Sequence, residues 1–171
     1  RFDLAQHVMS TIFKSFNTCD FSHIDALLDT RFAEDCKYYE VYVGDANPWH
    51  KDYSNDVGRD GFYQLLRAHP EASPDSIIKI DRIVIEDDIA VCDWSFLGTK
   101  IAEIDYDKLL SPNNKHEIDN IFTDSLLFKD NLTASFKTCD VTTISLQGTI
   151  SLVFDSDYLI SRYTCMYRSA I

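Results

Sequence analysis

The sequence predicts an α+β domain in which three N-terminal helices pack in a strongly curved antiparallel sheet. Two observations carry this expectation. Apolar residues recur at three- and four-residue steps early in the chain and at two-residue steps through most of the remainder. The helical and strand-like segments are also segregated along the chain, which is the order of an α+β domain and not of α/β crossover units.

The elements can be justified in chain order. Ala5, Val8, Met9, Ile12, Phe13 and Phe16 make one apolar stripe, which Asn17-Thr18-Cys19-Asp20 interrupts. A second helix is expected after Ser22, with Ser22 and Asp25 as a capping box and Ile24, Leu27, Leu28 and Phe32 as its buried face. Tyr38 to Val43 reads as a short aromatic strand, and the polar stretch GDANPWHKDYSNDV as a loop. A third helix fits Arg59 to Ala68, with Phe62, Leu65 and Leu66 inward and Pro70 just past its end.

From there the period is two. Ile78, Ile80, Ile83 and Ile85 lead to a turn at Asp87-Asp88, and Ile89 to Thr99 returns. Residues 105–140 read as an insertion: SPNNKHEIDN is loop-like, while SLLFKDNLTASF fits a helical turn or an irregular strand. Thr142 to Phe154 and Leu159 to Tyr167 form a hairpin across Asp155-Ser156-Asp157. In its first strand Ile144, Leu146, Ile150, Leu152 and Phe154 share one face, and Thr and Ser residues with Gln147 line the other. Bending such a sheet around the first helices would bury the stripe of the first.

The 171 residues suit a single domain spanning 1–171, and 45% hydrophobic content with 13% aromatics is that of a packed globule. A formal net charge of −12 argues against nucleic acid and against an anionic membrane surface, because both need a basic face. No apolar run approaches the roughly 20 residues that span a bilayer. The five cysteines are scattered without a C-x-x-C, and Cys92 and Cys165 lie in apolar strand patterns as buried thiols. That usage suits an intracellular soluble protein, and a chain opening at Arg1 without methionine suits a processed product compatible with an organelle. Asn131-Leu132-Thr133 matches a glycosylation sequon, a short motif of little weight alone.

Several chemistries lack their residues. His7, His23, His50, His69 and His116 form no metal-ligand spacing, so no metal is expected. His69, beside Pro70, reads as a cation at a helix end. With five glycines and no phosphate loop or nucleophile elbow, no cofactor is expected either.

Four strings bear a resemblance. They are Cys19-Asp20 before the second helix, Gly58-Arg59 opening the third, Glu86-Asp87-Asp88 through Trp94 to Gly98-Thr99, and FDSDYLISR at 154–162. In this order and spacing they resemble the SnoaL-like branch of the nuclear transport factor 2-like superfamily, covering most of the chain outside 105–140. The resemblance implies a cone of three helices and a curved sheet. It also implies a range of functions, from ketosteroid isomerases, polyketide cyclases, dehydratases and epoxide hydrolases to carriers and association domains without catalysis.

Transferred residue by residue, the family's sites match only in part. Aligning Ala33-Glu34-Asp35 on the family pattern puts Glu40 where steroid-isomerase-like members carry their base. Among Tyr38, Tyr39 and Tyr42 it is a candidate base, or else a solvated strand residue. The tyrosine of the first helix would fall at Ile12 and is missing. The cyclase acid of the last strand is replaced across Ile160, Arg162, Thr164 and Arg168, and the dehydratase histidine would fall at Ser76 or Ile77. Asp93 is a further candidate, although alternation sets it opposite Ala90, Cys92, Trp94 and Phe96 and so turns it outward. Arg162 shares a face with Ile160, Thr164 and Met166. Pointing inward, it would pair with Glu40 or Asp93 or contact an anion.

Phe13, Phe16, Tyr38, Trp94 and Phe96 are the expected pocket lining. Trp49 and His50 sit in a loop placed to lid the cone mouth or to meet a protein. Two functions remain open. The missing family residues and the polar sheet face favour a non-catalytic interaction or accessory module, in a homodimer or a larger assembly. The alternative is an enzyme of isomerase, cyclase or dehydratase type, binding a small apolar carbonyl-bearing substrate in the cone.

Overall fold

The computed structural model describes residues 1–44, 47–49, 55–110 and 136–170. His50, His116, the sequon and most of the expected insertion lie outside the described residues. Helix α1 (Phe2–Thr18) is followed by α2 (Ile24–Arg31), strand β1 (Phe32–Tyr42) and α3 (Gly58–Ala72). Then come β2 (Ile77–Glu86), β3 (Ile89–Ile104), a single turn α4 (Tyr106–Leu109), β4 (Phe136–Phe154) and β5 (Ile160–Ser169). The five strands form one curved, unclosed sheet in the order β1-β5-β4-β3-β2, antiparallel except where β1 runs parallel to β5.

All six residues of the α1 stripe are buried against this sheet. Asn17, in the last turn, fastens the helix to the edge strand. Its Oδ1 accepts from the Ile78 N–H at 2.8 Å and its Nδ2 donates to the Ile78 carbonyl at 2.7 Å. Cys19 then takes a left-handed conformation (φ 54°) that stops the helix. The expected Ser22–Asp25 capping box does not form. The Ser22 N–H instead bonds the Asp20 carboxylate at 3.1 Å in an Asx turn, so α2 begins at Ile24 with no side-chain cap. Its apolar face is as expected, with Ile24, Leu27, Leu28 and then Phe32 buried.

Helix α3 runs past Pro70, which occupies its last turn. Proline removes one intrahelical bond there, but Ala68, His69 and Ala72 are buried around it, and packing outweighs the local preference. The helix start is organised by Asp56, whose Oδ1 accepts from the Gly58 and Tyr38 N–H groups at 2.9 Å each.

Strands β2 and β3 form the expected hairpin, with Asp87 at positive φ (52°) in the turn. A bulge between Ile80 and Arg82 keeps Ile78, Ile80, Ile83 and Ile85 on one face, opposite Phe96, Trp94, Cys92 and Ala90 respectively. The uneven spacing of these four isoleucines is the trace of that bulge. Strands β3 and β4 are longer than the alternation suggests, so part of the expected insertion is sheet and paired. At the β4–β5 turn the Asp155 carboxylate accepts from the N–H groups of Asp157 and Leu159.

Candidate functional site

Between α1, α3 and the inner face of the sheet lies a cavity of about 80 Å³. Ile12, Phe13 and Phe16 of α1 form one wall, and Phe62, Leu65, Leu66 and His69 of α3 another. The sheet contributes Glu40, Trp94, Phe96, Tyr163, Cys165 and Tyr167, and Trp49 reaches in from residues 47–49. Of the expected lining, Phe13, Phe16, Trp94 and Phe96 are in place. Tyr38 is not: it lies buried below the cavity, stacked on Phe62 at 4.9 Å and on Phe32 at 5.9 Å.

Glu40 is half-buried and borders the cavity through its place opposite Cys165 in the β1–β5 pairing. Beside it, burial drives the Tyr163 phenol well above its ordinary pKa, and its electrostatic coupling to Cys165 and Glu40 pushes the same way. Tyr163 therefore stays a protonated phenol at neutral pH.

Trp94 is buried, and its indole Nε1 has no hydrogen-bond acceptor among the described residues. Its position depends on Gly148, its β4 neighbour, where any Cβ would collide with the indole ring. A buried N–H without a partner costs free energy, which the packing of the ring offsets.

Asp93 faces outward, as alternation predicts. It pairs with Arg82 at 2.9 Å and accepts from the Thr149 hydroxyl at 3.1 Å, a structural role on the outer face. Arg162 corrects the expectation of an inward guanidinium. It is exposed, with its guanidinium 4.8 Å from the centre of the Tyr39 ring, on the face away from the cavity. The reason is a bulge. Phe154 pairs with Ile160 but Val153 pairs with Arg162, leaving Ser161 as the extra residue. Every side chain after it changes face, so Tyr163, Cys165 and Tyr167 point inward in place of Arg162, Thr164 and Met166.

His69 was missed as a site residue. It is buried, edge-on to Trp49 at 4.6 Å, and borders the cavity. The spacing of Phe62, Leu65, Leu66 and His69 carried the signal, since all four fall on one helix face. The Asn47–Trp49 segment is tied to the sheet. The Lys100 ammonium, itself buried, donates to the Pro48 carbonyl at 2.9 Å, and Asn47 Nδ2 donates to the Tyr167 hydroxyl at 3.3 Å. Among the described residues no cluster of three or more His, Cys, Asp or Glu gathers to hold a metal. No helix among them is long and apolar enough to cross a membrane.

No protein-family model and no curated protein sequence matches the chain. Solved structures do. TsrD from Streptomyces laurentii superposes with a TM-score of 0.57 at 15% identity, over 98% of this chain and 90% of that one. AclR from Streptomyces galilaeus, provisionally assigned as a hydroxylase, gives 0.56 at 12% over 96% and 79%. IdmH from Streptomyces antibioticus, provisionally assigned as a polyketide cyclase, gives 0.54 at 12% over 94% and 89%. The chain therefore has the SnoaL-like, nuclear transport factor 2-like fold, as the four sequence strings imply. At these identities the likeness concerns the fold alone.

Proposed function

Taking the SnoaL-like cone as premise, we propose that the chain is an enzyme of isomerase, cyclase or dehydratase type, acting on a small apolar carbonyl compound held in the cone. The observation that carries this reading is one carboxylate, Glu40, set in the wall of an otherwise largely apolar cavity. A carboxylate in apolar surroundings is the base that proton abstraction beside a carbonyl needs. The Glu40 carboxylate takes the proton from the α-carbon, and the C–H electron pair becomes the new carbon–carbon π bond. The carbonyl π pair moves onto oxygen, giving the enolate. Return of the proton to the same or another carbon completes an isomerisation, and attack of the enolate on a second carbonyl of the substrate would close a ring. The functional assignments of AclR and IdmH favour this reading over a non-catalytic module.

The test is exchange of α-hydrogens of butanone for deuterium in D2O, followed by NMR. The chain should accelerate exchange, and Glu40→Gln should lower the rate by about 10²-fold or more, the usual contribution of a positioned base. Exchange no faster than in buffer, or unchanged in E40Q, would refute the assignment.

A second reading rests on the outer sheet face, where Ile77 and Leu97 pair across β2 and β3 at 62% and 59% exposure. Ile101 and Val141 lie exposed further along β3 and β4. Such a strip suits self-association or a partner subunit. Sedimentation that finds only monomer at high concentration would remove the homodimer form of this reading.

A further inference from the structure

We infer that Trp49 is the specificity-determining residue of the cone, restricting it to a carbonyl compound of about four carbons and barring a six-membered ring. The inference rests on the carbonyl-ligand reading above and adds the ligand's size to it.

Trp49 is 3% exposed, yet it stands on neither helix nor strand. Its ring enters the cavity edge-on to His69 at 4.6 Å and to Phe96 at 6.1 Å. Three hydrogen bonds tie its segment down. The Trp49 N–H bonds Asn47 Oδ1 at 2.9 Å, Asn47 Nδ2 reaches the Tyr167 hydroxyl at 3.3 Å, and the Pro48 carbonyl accepts from Lys100 at 2.9 Å. A buried ammonium is costly unless its charge is satisfied. Lys100, at 5% exposure and 3.6 Å from Glu103, commits a donor to this segment. The indole is thus placed in the cavity wall.

With the indole in place about 80 Å³ remains. An apolar cavity of about 150 Å³ takes a benzene ring, so roughly half that volume suits a chain of a few atoms and no ring. The other apolar rings bordering the cavity belong to α1, α3 and the strands; Trp49 shares the core cluster with them but stands on a connecting segment. Trp49 is therefore the position at which ring size can be traded for ligand size with least loss of fold.

The test measures dissociation constants of butanone and cyclohexanone by ligand-observed NMR, for the full chain and for Trp49→Ala, Trp49→Phe and Lys100→Met. The parent should bind butanone in preference to cyclohexanone. W49A should move this preference toward cyclohexanone by at least about tenfold, within the range that pocket volume supports. W49F should move it less, and K100M should shift it in the same direction by loosening the segment. If W49A does not fold, W49F and K100M decide the matter. A preference unchanged in W49F and K100M, with butanone still bound, overturns the inference and leaves the carbonyl reading standing. Binding of neither ketone to any variant overturns both. A shifted preference without α-hydrogen exchange keeps the size inference and removes only the catalytic step.

Discussion

Replacing Gly148 by alanine tests how the cavity wall is built. Gly148 lies opposite Trp94 in β4, and a methyl group there would collide with the indole and come within 2.6 Å of the Met166 carbonyl. Neither neighbour is the free end of a flexible side chain: one is a buried ring and the other is backbone. Overpacking of this kind costs about 1–3 kcal/mol. In a domain of this size each kcal/mol lowers the melting temperature by roughly 2–4 °C, so G148A should melt several degrees below the parent. Urea unfolding would give the free energy directly, and a lower midpoint at constant slope would mark a loss of stability and not of compactness. The double variant Trp94→Leu/Gly148→Ala separates the two contacts. If the ring is the main obstacle, the cost of G148A should fall by more than about 0.5 kcal/mol in the W94L background, beyond ordinary additivity. A G148A protein within about 0.5 kcal/mol of the parent would refute the packing argument.

Three other substitutions or treatments probe separate parts of the structure. Asn17→Ala removes both bonds between the end of α1 and Ile78, at a cost of about 1–3 kcal/mol measured by urea unfolding, and faster amide exchange at Ile78 should accompany it. Burial alone would raise the Asp56 carboxyl, but the Tyr38 and Gly58 N–H groups and Lys37 outweigh it and hold the pKa below its ordinary value. That stabilisation is therefore complete above the unfolded value near about 4 and is lost as pH falls through the folded one. Asp56→Ala should cost about 0.5–2 kcal/mol at pH 7, as a lost helix cap does, and the gap from the parent should narrow as pH falls through the folded pKa in a series of urea melts. Burial raises the Cys36 and Cys92 thiols to about 11 and about 12, so iodoacetamide at pH 8 should spare both until the chain is unfolded. Modification of either at the rate of the exposed Cys19, read by peptide mass spectrometry, would contradict that burial.

The candidate site was legible where a regular period ran unbroken. Phe13 and Phe16 follow from the α1 stripe, and Trp94 and Phe96 from the clean alternation of β3. Asp93 faces outward for the same reason. Glu40 was found through family resemblance, and the structure sets it in the cavity wall. Arg162 was lost to one extra residue, because a bulge at Ser161 reverses the face of everything after it; its trace is the uneven apolar spacing of Ile160, Tyr163, Cys165 and Tyr167. His69 was hidden by its type: a histidine next to proline reads as a helix end, whereas the helix continues and buries it.

What the sequence by itself determined is the α+β class, the order of its elements and the faces that meet in the core. These rest on local periodicity and the burial of apolar area, which near neighbours in the chain are enough to specify. Tertiary structure alone decided which ionisable and hydrogen-bonding groups share the cavity. Glu40, Trp49, His69, Trp94 and Tyr163 come from four elements and a short connecting segment, and their meeting depends on strand register, one bulge and a buried lysine 52 residues from the carbonyl it holds. Such contacts are set by how whole elements pack, and no period within one segment encodes them.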